Sequence, residues 1–144
     1  MARLPQCALL LLTAALAACA SKTPDKPLGT ADAATDWSKA KEIDVAMTDF
    51  EFTPSQLTVT AGQPVRLILT NTGTDRHDFS APTFFADAAF RTGGAAPAKG
   101  KISLAKDEKA EVDLVPGKAG QYDLDCTEFL HDLFGMTGHI AVVQ

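Results

Sequence analysis

Apolar and polar residues alternate one by one along most of the chain after residue 41, and this period of two most constrains the fold. Val65, Leu67 and Leu69 form one such stretch, and Tyr122 and Leu124 belong to another. The pattern is typical of β-strands with one buried face. Glycine and proline turns separate seven or eight of these stretches within residues 42–144. We therefore predict an all-β domain, a Greek-key antiparallel β-sandwich or barrel of seven or eight strands.

One segment breaks the alternation. Residues 81–91 are rich in alanine and end just before Gly93-Gly94, a sequence that commonly stops a helix. We predict a short helical insert near residues 82–91, with Phe84 or Phe85 and also Phe90 packed against the sandwich. An irregular crossover loop is the alternative.

Composition excludes several classes of protein. The chain has 144 residues, of which 46% are apolar and 22% charged, which argues against disorder, a multi-pass membrane protein and a coiled coil. Its net charge of -5 argues against binding of nucleic acid, which needs a basic surface. Three histidines and three cysteines are too few for a multi-metal enzyme or a disulfide framework.

The N-terminus has the pattern of a secretion signal. Arg3 precedes an apolar run that is too short to span a membrane and that ends in Leu16-Ala17-Ala18-Cys19. This ending resembles the lipobox of bacterial lipoproteins, which implies a signal peptide at residues 1–18 and a lipid on Cys19. With Ala20 next, the resemblance implies secretion across the inner membrane and anchoring in the outer membrane, facing the periplasm. An ordinary signal peptide with an incidental Cys19 is the alternative.

A polar segment separates this signal from the alternating region. Up to residue 41 the chain is small, polar and mixed in charge, with Pro24, Pro27 and Gly29 and no hydrophobic period. We predict that residues 19–41 are the lipidated cysteine and a flexible tether, and that residues 42–144 are the folded domain. Trp37 is the only large apolar side chain in the tether and could dock on the domain.

The cysteines indicate a metal. If Cys7 is removed with the signal and Cys19 carries lipid, Cys126 is the only thiol of the domain, and in an oxidising compartment it is either buried and inert or bound to something. His131 and Met136 follow at even spacing in Cys126-x4-His131-x4-Met136. A thiolate, an imidazole and a thioether together suit copper, whereas a methionine ligand gives zinc little. The spacing therefore predicts a copper site.

A second histidine completes the donor set. His77 follows the stretch that begins at Val65, and in a Greek key this segment can lie beside the strand that leads to Cys126. With these features the chain resembles the cupredoxins, the type 1 blue copper proteins, from about Ile43 to Val143, and its helical insert is similar to that of small secreted bacterial members. The motifs that carry the resemblance are Phe52-Thr53-Pro54, Val59-Thr60-Ala61-Gly62, His77-Asp78-Phe79, Gly120-Gln121-Tyr122 and Gly135-Met136-Thr137-Gly138.

The resemblance assigns roles to these residues. It implies one mononuclear type 1 copper ion with His77, Cys126 and His131 as trigonal ligands and Met136 as the weak axial ligand. Asp78 stands where blue copper proteins commonly carry Asn or Asp, and we predict that it forms a hydrogen bond to Thr127 that holds the ligand loops together. A cupredoxin-like module without metal is the alternative.

Three further residues have donor atoms but different expected positions. We expect His139, in the last strand, to be a surface or sheet residue rather than a ligand. Met47, in an early strand, is expected in the core. Tyr122 is expected to be a packed corner residue rather than a redox relay.

The residues next to His131 suggest a docking surface. Phe129, Leu130, Leu133 and Phe134 can form an apolar rim around its imidazole, and the resemblance implies that redox partners dock there. The acidic residues nearby could steer a basic partner such as a cytochrome c, or they could simply be a solvated face. These acidic residues are Asp123, Asp125, Glu128 and Asp132.

The resemblance to the cupredoxins implies a one-electron carrier with no enzymatic activity. The lipobox-like N-terminus adds a tether at the membrane, and we expect a monomer. A copper-handling module, which buffers or delivers copper through the same ligands, is the alternative. A Cys–His hydrolase is possible by residue type, but it would leave His77 and Met136 without a role.

Overall fold

The structure is a computed structural model that describes residues 29–129, 131 and 133–144. The predicted signal peptide, the lipidation site Cys19 and residues 20–28 of the predicted tether lie outside the described residues, as do Leu130 and Asp132. Within the described part of the chain, no helix has both the length and the hydrophobicity needed to cross a membrane.

Two β-sheets pack face to face, and the predicted β-sandwich is confirmed. The larger sheet has the strand order β1-β7-β9-β5-β2-β3, and the smaller sheet has the order β4-β11-β10-β6-β8. The strands are β1 (Gly29–Thr30), β2 (Lys41–Thr48), β3 (Glu51–Thr53), β4 (Gln56–Thr60), β5 (Val65–Asn71), β6 (His77–Ser80), β7 (Ala88–Phe90), β8 (Lys101–Leu104), β9 (Lys109–Pro116), β10 (Gly120–Asp125) and β11 (Thr137–Val143).

The alternation in the sequence is the alternation of burial in the strands. In β5, Val65, Leu67 and Leu69 are buried, and Arg66 and Ile68 are only partly so. The same inward faces meet between the sheets and form one core, in which Met47 is fully buried as expected. Since such cores stabilise a domain through the apolar area they bury, this packing sets the two sheets in a fixed relation.

The strands differ in direction and in number from the prediction, which was seven or eight strands that all pair antiparallel. The pairs β1–β7, β2–β5 and β4–β11 are parallel, because the chain crosses between the sheets before these partners meet. The described residues form eleven strands, because β1, β3 and β7 add short strands of two or three residues at or near the sheet edges. Segments this short carry no detectable hydrophobic period.

The predicted helical insert is shorter than residues 82–91. Helix α1 spans Pro82–Ala86 and ends at Asp87, after which β7 pairs with β9. The ladder hydrogen bonds to β9 outweigh the helical preference of the alanines, since propensity is a weak term against tertiary contacts. The three phenylalanines are buried as predicted; they are Phe84, Phe85 and Phe90.

Residues 29–41 pack on the sandwich, where the sequence predicted a tether. Strand β1 pairs with β7, and a 3₁₀ turn follows at Trp37–Lys39. The guanidinium of Arg91 lies 5.6 Å from the centre of the Trp37 ring, within the range of a cation–π contact. Regular structure therefore begins before Glu42.

An ion-pair network on the larger sheet supports this packing. The Asp113 carboxylate accepts hydrogen bonds from Arg66 Nε at 2.8 Å and Nη2 at 3.1 Å and from Arg91 Nη1 at 2.9 Å. The Asp113 side chain is only 12% exposed. Hydrogen bonds from Arg66, above all, hold the pKa of Asp113 below its usual value.

We predict that Asp113→Asn lowers the free energy of unfolding by about 1–3 kcal/mol at pH 7. A lowered folded-state pKa gives stability that is present above the unfolded value of about 3.9 and is lost as the pH falls through the folded value. The difference in unfolding free energy between wild type and Asp113→Asn should therefore become smaller below about pH 4. Urea unfolding at pH 7 and at pH 3 measures this difference, and Asp44→Asn, at an exposed residue, is the control. An equal gap at both pH values would contradict the prediction.

Candidate metal site

Cys126 directly follows β10, and the loop after it returns to β11. Its side chain is fully buried, and it is the only free cysteine in the described part of the chain. The Cys126 N–H donates to the Met136 carbonyl at 3.1 Å, and the Met136 N–H donates to the His131 carbonyl at 2.9 Å. These two main-chain bonds bring Cys126, His131 and Met136 to one end of the sandwich.

His77 reaches the same place from a different strand. It begins β6, which pairs antiparallel with β10 through Ser80 and Asp125. The next residue, Asp78, donates its backbone N–H to Cys126 Sγ at 3.4 Å. The adjacency of β6 and β10 therefore carries the fully buried His77 to the cysteine across 49 residues of sequence.

Three donor atoms converge. His77 Nδ1 and His131 Nδ1 lie 3.1 Å apart, and Cys126 Sγ lies 3.5 Å from His131 Nδ1 and 3.9 Å from His77 Nδ1. Bonds of about 2.0 Å to nitrogen and about 2.3 Å to sulfur, as in zinc sites, place donors about 3–4 Å apart around one ion. The spacing of the three side chains therefore fits a single metal ion.

The buried Cys126 thiol holds its proton more strongly than an ordinary cysteine. Burial, the largest effect, raises the pKa of the Cys126 thiol, and backbone hydrogen bonds from Asp78 and Glu128 oppose this only in part. Metals bind the thiolate rather than the thiol, so a metal held between this sulfur and the two imidazole nitrogens would displace the thiol proton.

Met136 is the fourth predicted ligand. It is fully buried at the end of the loop, and its main chain is hydrogen-bonded to both Cys126 and His131. Thioether sulfur is a soft donor, and with a thiolate and two imidazoles it makes a set that suits copper better than zinc or magnesium. The residues present thus fit a copper ion.

The predicted hydrogen bond between Asp78 and Thr127 is present and belongs to a larger network. The buried Asp78 carboxylate accepts from the Thr127 N–H and from Thr127 Oγ1, both at 2.7 Å. Lys101 Nζ donates to Asp78 Oδ2 at 2.8 Å and to Thr127 Oγ1 at 2.7 Å. The hydrogen bond to Asp78 is the main reason that the pKa of Lys101 is raised. This network joins the two strands that carry His77 and Cys126.

Sequence reasoning missed three residues at the site: Asp49, Phe50 and Lys101. Asp49 and Phe50 form the turn between β2 and β3, and the Phe50 ring lies 5.1 Å from the His131 ring, edge to face. Phe50 has a φ of 67°, which a residue other than glycine adopts at a cost. Nothing in the local sequence around these three residues signals their place at the site.

An apolar rim lies beside the partly buried His131 and is made of one residue that contacts its ring and three exposed residues of its own loop. It consists of Phe50, Phe129, Leu133 and Phe134, which are 43%, 86%, 75% and 62% exposed. The Phe50 ring contacts another member of the rim as well as His131, since its centre lies 5.3 Å from that of the Phe134 ring. Large apolar side chains that stay exposed in one cluster commonly mark an interaction surface.

The other residues considered from the sequence lie away from the donors. His139 is exposed on β11, and its Nδ1 lies 3.4 Å from Asp123 Oδ1 on the neighbouring strand. Tyr122 donates its hydroxyl to the Lys118 carbonyl at 2.7 Å, as a corner residue does. Burial, the largest effect, raises the pKa of Tyr122.

Comparisons with known proteins agree with this architecture. A family model described as a cupredoxin-like domain matches residues 7–142. No curated protein matches the sequence significantly.

Several solved structures share the fold. Sodium-dithionite-reduced auracyanin from the photosynthetic bacterium Roseiflexus castenholzii has 18% sequence identity and a TM-score of 0.56, over 73% of this chain and 98% of that one. Auracyanin B has 17% sequence identity and a TM-score of 0.56, over 83% of this chain and 96% of that one. A multicopper oxidase from Campylobacter jejuni, described as a metallo-oxidase, has 14% identity and a TM-score of 0.54, over 73% of this chain and 30% of the oxidase.

Proposed function

Because the chain belongs to the family of cupredoxin-like domains, we propose that it binds one type 1 copper ion and works as a one-electron carrier. The ligands are His77, Cys126, His131 and Met136. The observation that carries the proposal is the convergence of two imidazole nitrogens and a thiol sulfur within 3.1–3.9 Å of one another. A copper ion held there would supply a couple between Cu(I) and Cu(II).

The protein's part is to hold the donors still. His77, Cys126 and Met136 are fully buried, and Asp78 ties their strands together. Donors that stay in place in both oxidation states keep the reorganisation small when an electron moves. The Asp78 N–H, which donates to the sulfur, withdraws charge from it and so tunes the potential.

The apolar rim is the proposed route for electrons. His131 is the one partly exposed member of the three-donor cluster, and the rim excludes water around its imidazole while offering a small apolar contact. Weak redox encounters use small interfaces that separate quickly. Asp123 and Asp125 lie in β10 and Glu128 lies in the loop after it, and these carboxylates favour a basic partner such as a cytochrome c.

The proposed location follows from the sequence alone. Lipidation of Cys19 would anchor a monomer to the membrane on its periplasmic side, where the copper site faces soluble partners. One acyl chain gives only marginal anchoring, whereas two or three are stable.

Reduction in the presence of a Cu(I) chelator tests the electron-carrier role. We expect the copper-loaded, full-length protein to cycle repeatedly between the two oxidation states and to retain its copper. Transfer of Cu(I) to the chelator at each reduction would instead favour a copper-handling module.

A rim variant tests the docking surface. We predict that Phe129→Ser slows electron exchange with a cytochrome c about fivefold, the effect of about 1 kcal/mol of lost contact, without changing the visible spectrum. Stopped-flow kinetics measures the rate. Val143→Ser is the matched control, because Val143 is also exposed but lies at the far end of β11. Equal rates for all three proteins would contradict a role of the rim.

A further inference from the structure

The turn between β2 and β3 contacts both histidines from outside the donor cluster. Asp49 and Phe50 are its two central residues, between the paired Thr48 and Glu51. Phe50 packs on His131, and Asp49 Oδ1 lies 3.3 Å from His77 Nε2. The nitrogen that Asp49 approaches is the one that faces away from Cys126.

The Asp49 carboxylate is held in position by Thr74. The Thr74 N–H donates to Oδ1 at 2.8 Å, and the Thr74 hydroxyl donates to Oδ2 at 2.9 Å. Both bonds connect the β2–β3 turn to the loop that leads into His77. A carboxylate anchored through both oxygens has little freedom to turn away from the imidazole.

Gly73 leaves the space for this contact. A Cβ atom at position 73 would lie 2.5 Å from His77 Nε2 and 2.6 Å from Asp49 Oδ1, closer than side-chain atoms approach one another. Any other residue there would push the imidazole and the carboxylate apart. The loop Gly73-Thr74 therefore both anchors Asp49 and allows it to reach His77.

The contact determines which nitrogen of His77 can bind a metal. A carboxylate accepts a hydrogen bond and cannot donate one, so it favours the tautomer with the proton on Nε2. Nδ1, which faces Cys126 Sγ and His131 Nδ1, then keeps its lone pair. Carboxylates that hold a ligating histidine in this way also raise the basicity of the ligand.

We infer that Asp49 is a positioning residue that orients His77 for copper and shifts the redox balance of the site toward Cu(II). The inference rests on the proposed copper site. The negative charge of Asp49 favours the more highly charged ion, Cu(II). Residues that hydrogen-bond to a metal ligand in this way commonly change metal affinity about 10- to 100-fold. A tenfold change in the ratio of Cu(II) to Cu(I) affinity corresponds to about 59 mV in a one-electron couple.

Two substitutions separate orientation from charge. Asp49→Asn keeps an oxygen acceptor but loses the charge, so we expect Cu(II) affinity to fall about tenfold relative to Cu(I) affinity and the potential to rise by about 59 mV. Asp49→Ala loses both, and in the metal-free protein His77 should then populate both tautomers. Asp75→Asn is the control, since it removes one negative charge from an exposed side chain in the neighbouring loop, between β5 and β6.

The readouts are the potential of the copper-loaded protein and long-range proton–nitrogen NMR of the His77 ring in the metal-free protein. Gly73→Ala should change both in the same direction as Asp49→Ala. If Asp49→Asn and Asp75→Asn have the same potential, or if His77 keeps the Nε2-protonated tautomer in Asp49→Ala, the inference is wrong. Because the NMR experiment needs no copper, it can fail or succeed independently of the proposed copper site, which fails if the wild-type protein does not form a type 1 centre.

Discussion

Cys126→Ser is expected to abolish the intense visible band of the copper-loaded protein. The band of a type 1 site arises from charge transfer between thiolate and copper, and a serine hydroxyl supplies neither the soft sulfur nor an anion at neutral pH. Copper affinity should fall by more than the about 10- to 100-fold that changes outside the ligand shell produce. An optical titration with Cu(II), followed to saturation, measures both effects.

The other two cysteines provide an internal control for this experiment. When the full-length chain is produced without processing of its signal, Cys7 and Cys19 are present in both wild type and variant, so any copper they bind is common to the two titrations. Circular dichroism should show that the variant keeps its β-sandwich, because serine is close to cysteine in size. A band of unchanged position and strength in the variant would exclude Cys126 as the copper thiolate.

Asp78→Ala is expected to have the largest effect on stability, together with a shifted or broadened visible band. The variant removes the buried Asp78 carboxylate, so that the Thr127 N–H loses its acceptor and Lys101 loses its counter-ion. We expect the free energy of unfolding of the metal-free protein to fall by about 2–4 kcal/mol. The spectrum should change because Asp78 holds the strand of His77 against that of Cys126 and places the N–H that binds the sulfur.

Thr127→Val is the matched variant for Asp78→Ala. It removes the hydroxyl but keeps the main-chain hydrogen bond to Asp78, so we expect a loss of about 1 kcal/mol and a smaller change in the spectrum. Urea unfolding and absorption spectra measure the two effects. A wild-type spectrum in Asp78→Ala would show that this network does not position the ligands.

The features that the sequence predicted correctly have strong local patterns. In β5, strict alternation of Val65, Leu67 and Leu69 identifies a half-buried strand without any knowledge of its partners. Cys126, His131 and Met136 lie within eleven residues of one another, so a single loop can bring them together. The position of His77 needed one further step, the expectation that its strand lies beside that of Cys126.

The features that the sequence did not predict depend on contacts between distant segments. Strands β1 and β7 exist because their edges pair, and two or three residues contain no period to detect. Asp49 meets His77 across 28 residues, and Lys101 meets Asp78 across 23. Charged residues in turns and at strand ends are ordinarily solvated, so nothing in the local sequence distinguishes these two.

The same limit explains the helical insert. Alanines at 86, 88 and 89 favour a helix as isolated residues, yet Ala88 and Ala89 pair with Pro116 and Val115 of β9. An open edge of β9 is a property of the whole sheet and cannot be seen in residues 81–91. The buried phenylalanines were predictable because they are apolar in either conformation.

The account depends on one copper ion bound by a thiolate and two imidazoles at one end of the sandwich. The most direct test is a combined visible-absorption and electron paramagnetic resonance spectrum of the full-length protein with one equivalent of Cu(II). We predict an intense thiolate-to-copper charge-transfer band and the narrow copper hyperfine splitting of a type 1 centre. A weak visible band with the wide splitting of ordinary tetragonal Cu(II) would contradict the proposed site.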